Sequence, residues 1–194
     1  MATQIRNIGT PLSPAMAVFQ NFLYMATRRP ENNEVNFLRY DGRQWAELGS
    51  VPGVRTGSQP SLAVFQNKLY LAVRGEDNFL YLSAFDGARW SPPQIVPGTG
   101  KTLAAPNLTQ YGNLLHLTYT SELGYRLMWV SFNPNFRYGT YIVKPGQRDL
   151  AAVSLALFGN ANRTREIAAL NHIEPIPGTG VYPVSEGDVL LVPA

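Results

Sequence analysis

A chain of 194 residues can form one medium domain or two small ones, and an apolar content of 45% supports a packed core and excludes wholesale disorder. Charged residues are only 15% and the formal net charge is +3, too weak a bias to indicate nucleic acid, while 17 glycines, 15 prolines, 10 tyrosines and 9 phenylalanines suit short strands and turns. The absence of cysteine excludes disulfide frameworks, thiol nucleophiles and Cys-ligated metals.

In chain order, the first feature is the start itself. Met1–Thr10 lacks the apolar stretch of a secretory signal, and nowhere does a run approach the ~18 apolar residues of a membrane span, so a soluble chain synthesised in the cytoplasm is expected. Next comes a repeat. Pro14-Ala-Met-Ala-Val-Phe-Gln-Asn-Phe-Leu-Tyr24 returns 46 residues later as Pro60-Ser-Leu-Ala-Val-Phe-Gln-Asn-Lys-Leu-Tyr70. It returns more weakly, after another 46, from Pro106 to His116. The second half of the unit repeats too, Tyr40-Asp-Gly-Arg-Gln-Trp45 matching Phe85-Asp-Gly-Ala-Arg-Trp90, each followed by Val-Pro-Gly.

The period inside each unit is two, the alternation of strands: Leu69, Leu71 and Val73 against Tyr70, Ala72 and Arg74. The Asp-Gly pairs supply the positive φ of a tight turn. One unit therefore predicts four strands, at 62–66, 69–74, 80–85 and near 90–96, the pattern of a propeller blade. Blades are expected over about 12–58, 59–104 and 105–137 of an N-terminal domain spanning 1–137. The third lacks the Asp-Gly…Trp element, and a strand at Gln4–Ile8 is expected to close it, hiding an unpaired edge. Three blades fall short of the ~4–8 of closed propellers, so closure by oligomerisation is expected, most simply as a two-fold dimer of six blades. A bent three-sheet prism within one chain is the other possibility.

At Ser83-Ala-Phe-Asp-Gly-Ala-Arg-Trp90 the repeat resembles the Asp-box-like turns of β-propeller lectins and of sialidases. That resemblance implies sugar recognition between blades, with Trp45 and Trp90 as candidate contacts, and Arg74, which recurs with Arg28-Arg29 at the same end of a strand, is a further candidate for a ligand face. A plainer reading packs both indoles between blades and leaves Arg28, Arg29 and Arg74 on a solvated blade edge.

From Tyr141 the character changes. Tyr141-Ile-Val-Lys-Pro-Gly146 predicts a strand and turn, and Leu150, Val153 and Leu157 predict a helix that stops at Gly159. A second helix is expected over 163–170 and a last strand at Val189–Val192, a βααβ order. The anchors Tyr141–Gly146, Phe158-Gly-Asn160, Arg165–Asn171 and Gly187–Pro193 resemble a lysin-motif (LysM) domain over 141–194. LysM domains bind N-acetylglucosamine-containing polymers without cleaving them. The resemblance places the groove between Gly146, Gln147 and Arg148 on one loop and Asn171, His172 and Ile173 on another. Asn171 is equally read as a helix cap and His172 as an exposed loop residue. The turn Gly146-Gln-Arg-Asp-Leu150 is one residue longer than the usual Gly-Asp-Thr-Leu, and such turns resemble LysM modules of phage tails and contractile-injection baseplates, where the module is structural.

Other chemistries fail on spacing. Gly98-Thr-Gly-Lys-Thr102 lacks the earlier Gly of a phosphate loop, since Ile95 stands there. With His116 and His172 alone, one in each module, no two-His metal site and no Ser-His-Asp arrangement is expected. His116 occupies the slot of Tyr24 and Tyr70 and reads as a blade residue. Net charges of +4 over 1–137 and −1 over the rest, without a basic stripe among aromatics, argue against nucleic acid.

The expected fold is thus a mainly β N-terminal domain of three propeller-like four-stranded blades, closed by oligomerisation, plus a small α+β (βααβ) LysM domain. The expected function is non-catalytic carbohydrate binding at the cell envelope or outside the cell. Neither a cofactor nor a metal is expected. The alternative is a structural component of a phage tail or contractile injection particle with LysM as adaptor.

Overall fold

The computed structural model describes residues 4, 5, 8–96, 98–134, 138–171 and 173–193. They divide into two compact units, Met1–Ile95 with Lys101–Asn133, and Val96–Gly100 with Pro134–Ala194. Among the described residues no helix is long and apolar enough to cross a membrane.

The first unit is three antiparallel sheets in sequence. The first sheet is β1 (Ala15–Phe19), β2 (Phe22–Arg28), β3 (Glu34–Tyr40) and β4 (Trp45–Arg55), paired in that order. The second is β5 (Ser61–Phe65), β6 (Lys68–Arg74), β7 (Leu80–Phe85) and β8 (Gln94–Ile95). The third is β9 (Asn107–Tyr111), β10 (Leu114–Thr120) and β11 (Leu127–Phe132). The repeated Gln-Asn pairs make the first hairpin of the first two sheets, with φ of +46° and +63° at Gln20-Asn21 and +43° and +58° at Gln66-Asn67. Two consecutive positive φ angles define the turn whose twist matches the flanking strands.

Two expectations about strands change. The fourth strand expected near 90–96 shrinks to Gln94–Ile95 plus a single bridge between Phe85 and Trp90, because Pro92 and Pro93 have no N–H to give a ladder. The expected closing strand at Gln4–Ile8 lies partly outside the described residues; Gln4, Ile5 and Ile8 are in no strand, and the third sheet has three strands among the described residues.

Packing follows from the two-residue period. Phe19, Tyr24, Ala26, Val35 and Phe37 of the first sheet form one buried cluster with Leu62, Leu69, Leu71, Val73 and Phe85 of the second. The opposite face of the second sheet buries Phe65, Tyr70, Ala72 and Leu80, and there Ser61 Oγ accepts a hydrogen bond from the Leu108 N–H of β9 at 2.9 Å. The central sheet is therefore apolar on both sides, which is why Leu69 through Val73 are all buried without interruption.

The second unit pairs β12 (Tyr138–Ile142) with β13 (Val189–Pro193), and between them run α1 (Leu150–Phe158) and α2 (Thr164–Leu170). The segment Tyr138-Gly139-Thr140, read from sequence as a link, is instead the first half of β12, with Gly139 opposite Val192. Asp149 caps α1 by accepting from the Ala152 N–H at 2.8 Å, and Gly159 ends it at φ +72°. Leu150 and Val153 are buried in a small core with Val143, Ile167, Ala168, Leu190 and Val192.

Candidate functional site between the first two sheets

The two Asp-Gly corners are built alike. Asp86 Oδ1 accepts from the Ala88 and Arg89 N–H groups, both at 2.8 Å, and Asp41 Oδ1 accepts from Arg43 and Gln44 at 2.8 and 2.9 Å. These backbone bonds, first those from Arg89 and Gln44, hold both carboxyl groups below the usual carboxylate range. Glycine is required in each corner by φ of +106° at Gly87 and +96° at Gly42. At Gly87 a Cβ would also meet Gln20 Oε1 at 2.7 Å, so the corner of the second sheet lies against the first hairpin of the first.

The Gly87 corner delivers Trp90 into a cleft of about 500 Å³ between the two sheets. Its floor is aromatic. Tyr24 stacks on Phe37 at 5.1 Å and 11°, Trp90 meets Phe37 edge-on at 4.9 Å, and Trp90 lies 5.2 Å from Phe85. Arg39 and Arg89 stand at the rim. Arg39 lies over the Phe22 ring at 4.5 Å, and neither guanidinium makes a hydrogen bond or ion pair among the described residues. The wall from β4 includes Ser50, whose hydroxyl donates to Glu34 Oε2 at 2.6 Å; this bond is the main reason the Glu34 carboxyl sits below its usual range. None of the described residues lining the cleft is a carboxylate.

A second cavity of about 390 Å³, also between these sheets, is lined by Arg55, Glu76, Asp77 and Tyr81. Tyr81 donates to Asp77 Oδ2 at 2.6 Å, and burial, reinforced by that bond and the Asp77 charge, pushes its phenol up to about 12.

The structure separates the residues grouped by sequence. Trp90 is in the cleft, packed between sheets. Trp45 is half-buried at the equivalent corner and, among the described residues, has Tyr40 as its one ring partner, at 5.3 Å. Arg74 is neither on a free ligand face nor on a solvated edge: it is half-buried and donates to Asn78 Oδ1 at 2.5 Å. Asn78 in turn donates to Glu122 Oε1 of the third sheet at 3.2 Å. The same relay, Arg28 to Asn33 to Glu76, joins the first sheet to the second.

A threonine latch accompanies each relay. Thr56 Oγ1 donates to the Arg74 carbonyl at 2.9 Å and Thr102 Oγ1 to the Thr120 carbonyl at 2.5 Å, both hydroxyls being fully buried. Sequence reading passed over these residues although Thr56 and Thr102, and Glu76 and Glu122, each lie 46 apart, the spacing of the repeat itself.

In the second unit, Gly146 makes a turn at φ +86° after β12. Gln147 Oε1 accepts from the Lys144 N–H at 2.8 Å and the Tyr141 hydroxyl at 3.0 Å, while Arg148 is exposed and its carbonyl accepts from Val184. Asn171 is a clamp: Nδ2 donates to Ile167 O and Leu191 O, and Oδ1 accepts from the Leu191 N–H, all at 2.7 Å. The Ile173 N–H returns to Ala168 O and its side chain joins the small core; His172 lies outside the described residues. The first loop is thus tied to the chain near Val184 and the second to α2 and β13.

No family model and no curated protein matches the chain. Solved structures do. A fucose lectin from Kordia zhangzhouensis, in complex with methyl-fucoside, is 9% identical, with a TM-score of 0.51 over 63% of this chain and 94% of the lectin. Zg3597, a family 117 glycoside hydrolase from Zobellia galactanivorans, is 14% identical, with a TM-score of 0.49 over 63% of this chain and 43% of the hydrolase. The likeness to the lectin is one of fold: a mainly β, propeller-like succession of antiparallel sheets.

Proposed function

We propose that the first unit binds carbohydrate in the Trp90 cleft and does not cleave it. The observation that carries this reading is the cleft's composition, an aromatic floor of Phe37 and Trp90 under two guanidinium groups without hydrogen bonds among the described residues. Sugars present apolar C–H faces that pack on rings and hydroxyls that accept from fixed donors. Glycoside hydrolysis needs a pair of carboxyl groups flanking the bond, and the described lining supplies none. The fold-level likeness to a lectin supports the same reading.

The second unit is proposed as a LysM-type module and the whole protein as a homo-oligomer of the cell envelope or of an assembled particle. Two features of the second unit favour an adaptor role over a sugar groove, as in a phage tail or injection particle. The Gln147 carbonyl and the Asn171 amide are engaged with the chain's own backbone. An N-acetylglucosamine polymer could take neither the Asn171 amide as a donor nor the Gln147 carbonyl as an acceptor without breaking those bonds.

A glycan array followed by calorimetric titration of the best ligand tests the proposal. Trp90→Ala and Arg39→Ala are each expected to weaken binding at least tenfold, and Arg148→Ala to leave it unchanged. Absence of binding across the array overturns the reading. Binding that survives Trp90→Ala but fails with Arg148→Ala moves the site to the second unit.

A further inference from the structure

The third sheet follows the template of the other two, yet one of its faces is bare. Tyr111 holds the repeat position of Phe19 and Phe65, and Leu127 that of Val35 and Leu80, by the shared strand register. Those four counterparts are buried, at 3% exposure or less, whereas Tyr111 is 78% and Leu127 80% exposed. Trp129, in the slot of the buried Phe37, is 61% exposed. It is held in place all the same: its ring stacks on His116 at 5.7 Å and 12°, and Nε1 donates to His116 Nδ1 at 3.2 Å. A fixed, exposed aromatic cluster is a pre-organised contact surface.

The complementary half lies at the other end of the repeats. On β5, Leu62 is buried and Val64 packs into the cluster shared with the first sheet. Their counterparts on β1, Met16 and Val18, are 55% and 67% exposed, although Met25 and Leu38 deeper in the same sheet are buried. One chain therefore carries a bare trailing face of the kind that the first sheet buries against the second, and a bare leading row of the kind that the second buries against the first.

We infer that the third sheet of one molecule packs against the β1 row of a second copy, reproducing between chains the junction that joins the first and second sheets within one. Two copies joined twice in this way are related by a two-fold axis, the β1 row of each meeting the third sheet of the other, and give six sheets, within the ~4–8 of closed propellers. This inference rests on the reading of the protein as a homo-oligomer and names the faces that meet; it does not depend on sugar binding.

Two measurements test it. Light scattering on the size-fractionated full chain is expected to give twice the 21.4 kDa of one chain, and Trp129→Glu and Val18→Glu are each expected to return it to 21.4 kDa with unchanged circular dichroism. Because the chain has no cysteine, register can be read directly. Oxidised Val18→Cys mixed with Thr109→Cys is expected to give a disulfide between the two variants, and neither variant alone a linked pair. A wild-type mass of 21.4 kDa at high micromolar concentration overturns the inference. So does either cysteine variant linking to itself, which places like residues, and not β1 and the third sheet, at the contact. So does Trp129→Glu that keeps the doubled mass while losing glycan binding, which makes the bare face a ligand platform.

Discussion

The two Asp-Gly corners differ in almost nothing but their neighbours. Each has an Asp accepting two backbone N–H bonds, a glycine near φ +100° and a tryptophan at the end. Within one chain Trp90 has a sheet in front of it and becomes part of an aromatic cleft; Trp45 has Tyr40 at the start of the same hairpin and no second ring partner among the described residues. A repeat fixes how a corner is made, through hydrogen bonds within a few residues. What the corner does depends on the preceding sheet, which is a property of position in the array.

The largest expected break comes from removing the ring that turns the Trp90 corner into a cleft. Phe37→Ala, which empties a buried site touching Tyr24, Phe85 and Trp90, is expected to lower stability by about 3–5 kcal/mol in urea unfolding. A loss under about 1 kcal/mol would mean that the sheets are joined elsewhere. Next, measured in the Trp129→Glu background, which keeps the chains apart, Trp90→Ala should cost about 1–3 kcal/mol and Trp45→Ala about 0.5–1.5, because within one chain the first indole has two aromatic partners and the second has one among the described residues. Equal losses would contradict the difference drawn between the corners.

The latches sharpen the comparison from the other side, since they are alike at both junctions. Thr56→Val and Thr102→Val each leave a carbonyl without its buried donor and should each cost about 1–2 kcal/mol in the same assay. If only one of them matters, the junctions are not equivalent. The smallest effect is that of acid. Asp41 and Asp86 are held below their unfolded values of about 4, so their contribution is present above that pH and fades as pH falls through the lower folded values. Asp41→Asn and Asp86→Asn should therefore flatten the decline of the melting temperature below pH 4 by the same amount. Unequal flattening would mean that the corners differ internally.

Much of the fold is legible in the residues because it rests on local chemistry. The Pro14, Pro60 and Pro106 units announce three hairpins, the Asp-Gly pairs announce two corners, and Gly159 announces the end of α1. The site is less legible. Trp90 stands out, but its floor needs Tyr24 and Phe37 from a different sheet, and nothing within a few residues of Trp90 encodes that. Arg74 and Asn171 look like ligand contacts in sequence because a polar side chain carries no mark of whether its partner is solvent or backbone; in the structure Asn78 and the Leu191 peptide answer for them. The Thr56 and Thr102 latches are readable from spacing, yet a threonine in the chain between two sheets is too common to attract notice without its partner carbonyl.

Three tryptophans, at 45, 90 and 129, make one measurement decisive. In nitrogen-labelled protein each indole N–H gives its own signal, and a titration with the glycan of highest affinity follows all three at once. Binding in the cleft requires the Trp90 signal to move in step with saturation. A titration that reaches saturation with Trp90 unmoved, whatever Trp45 and Trp129 do, would contradict it.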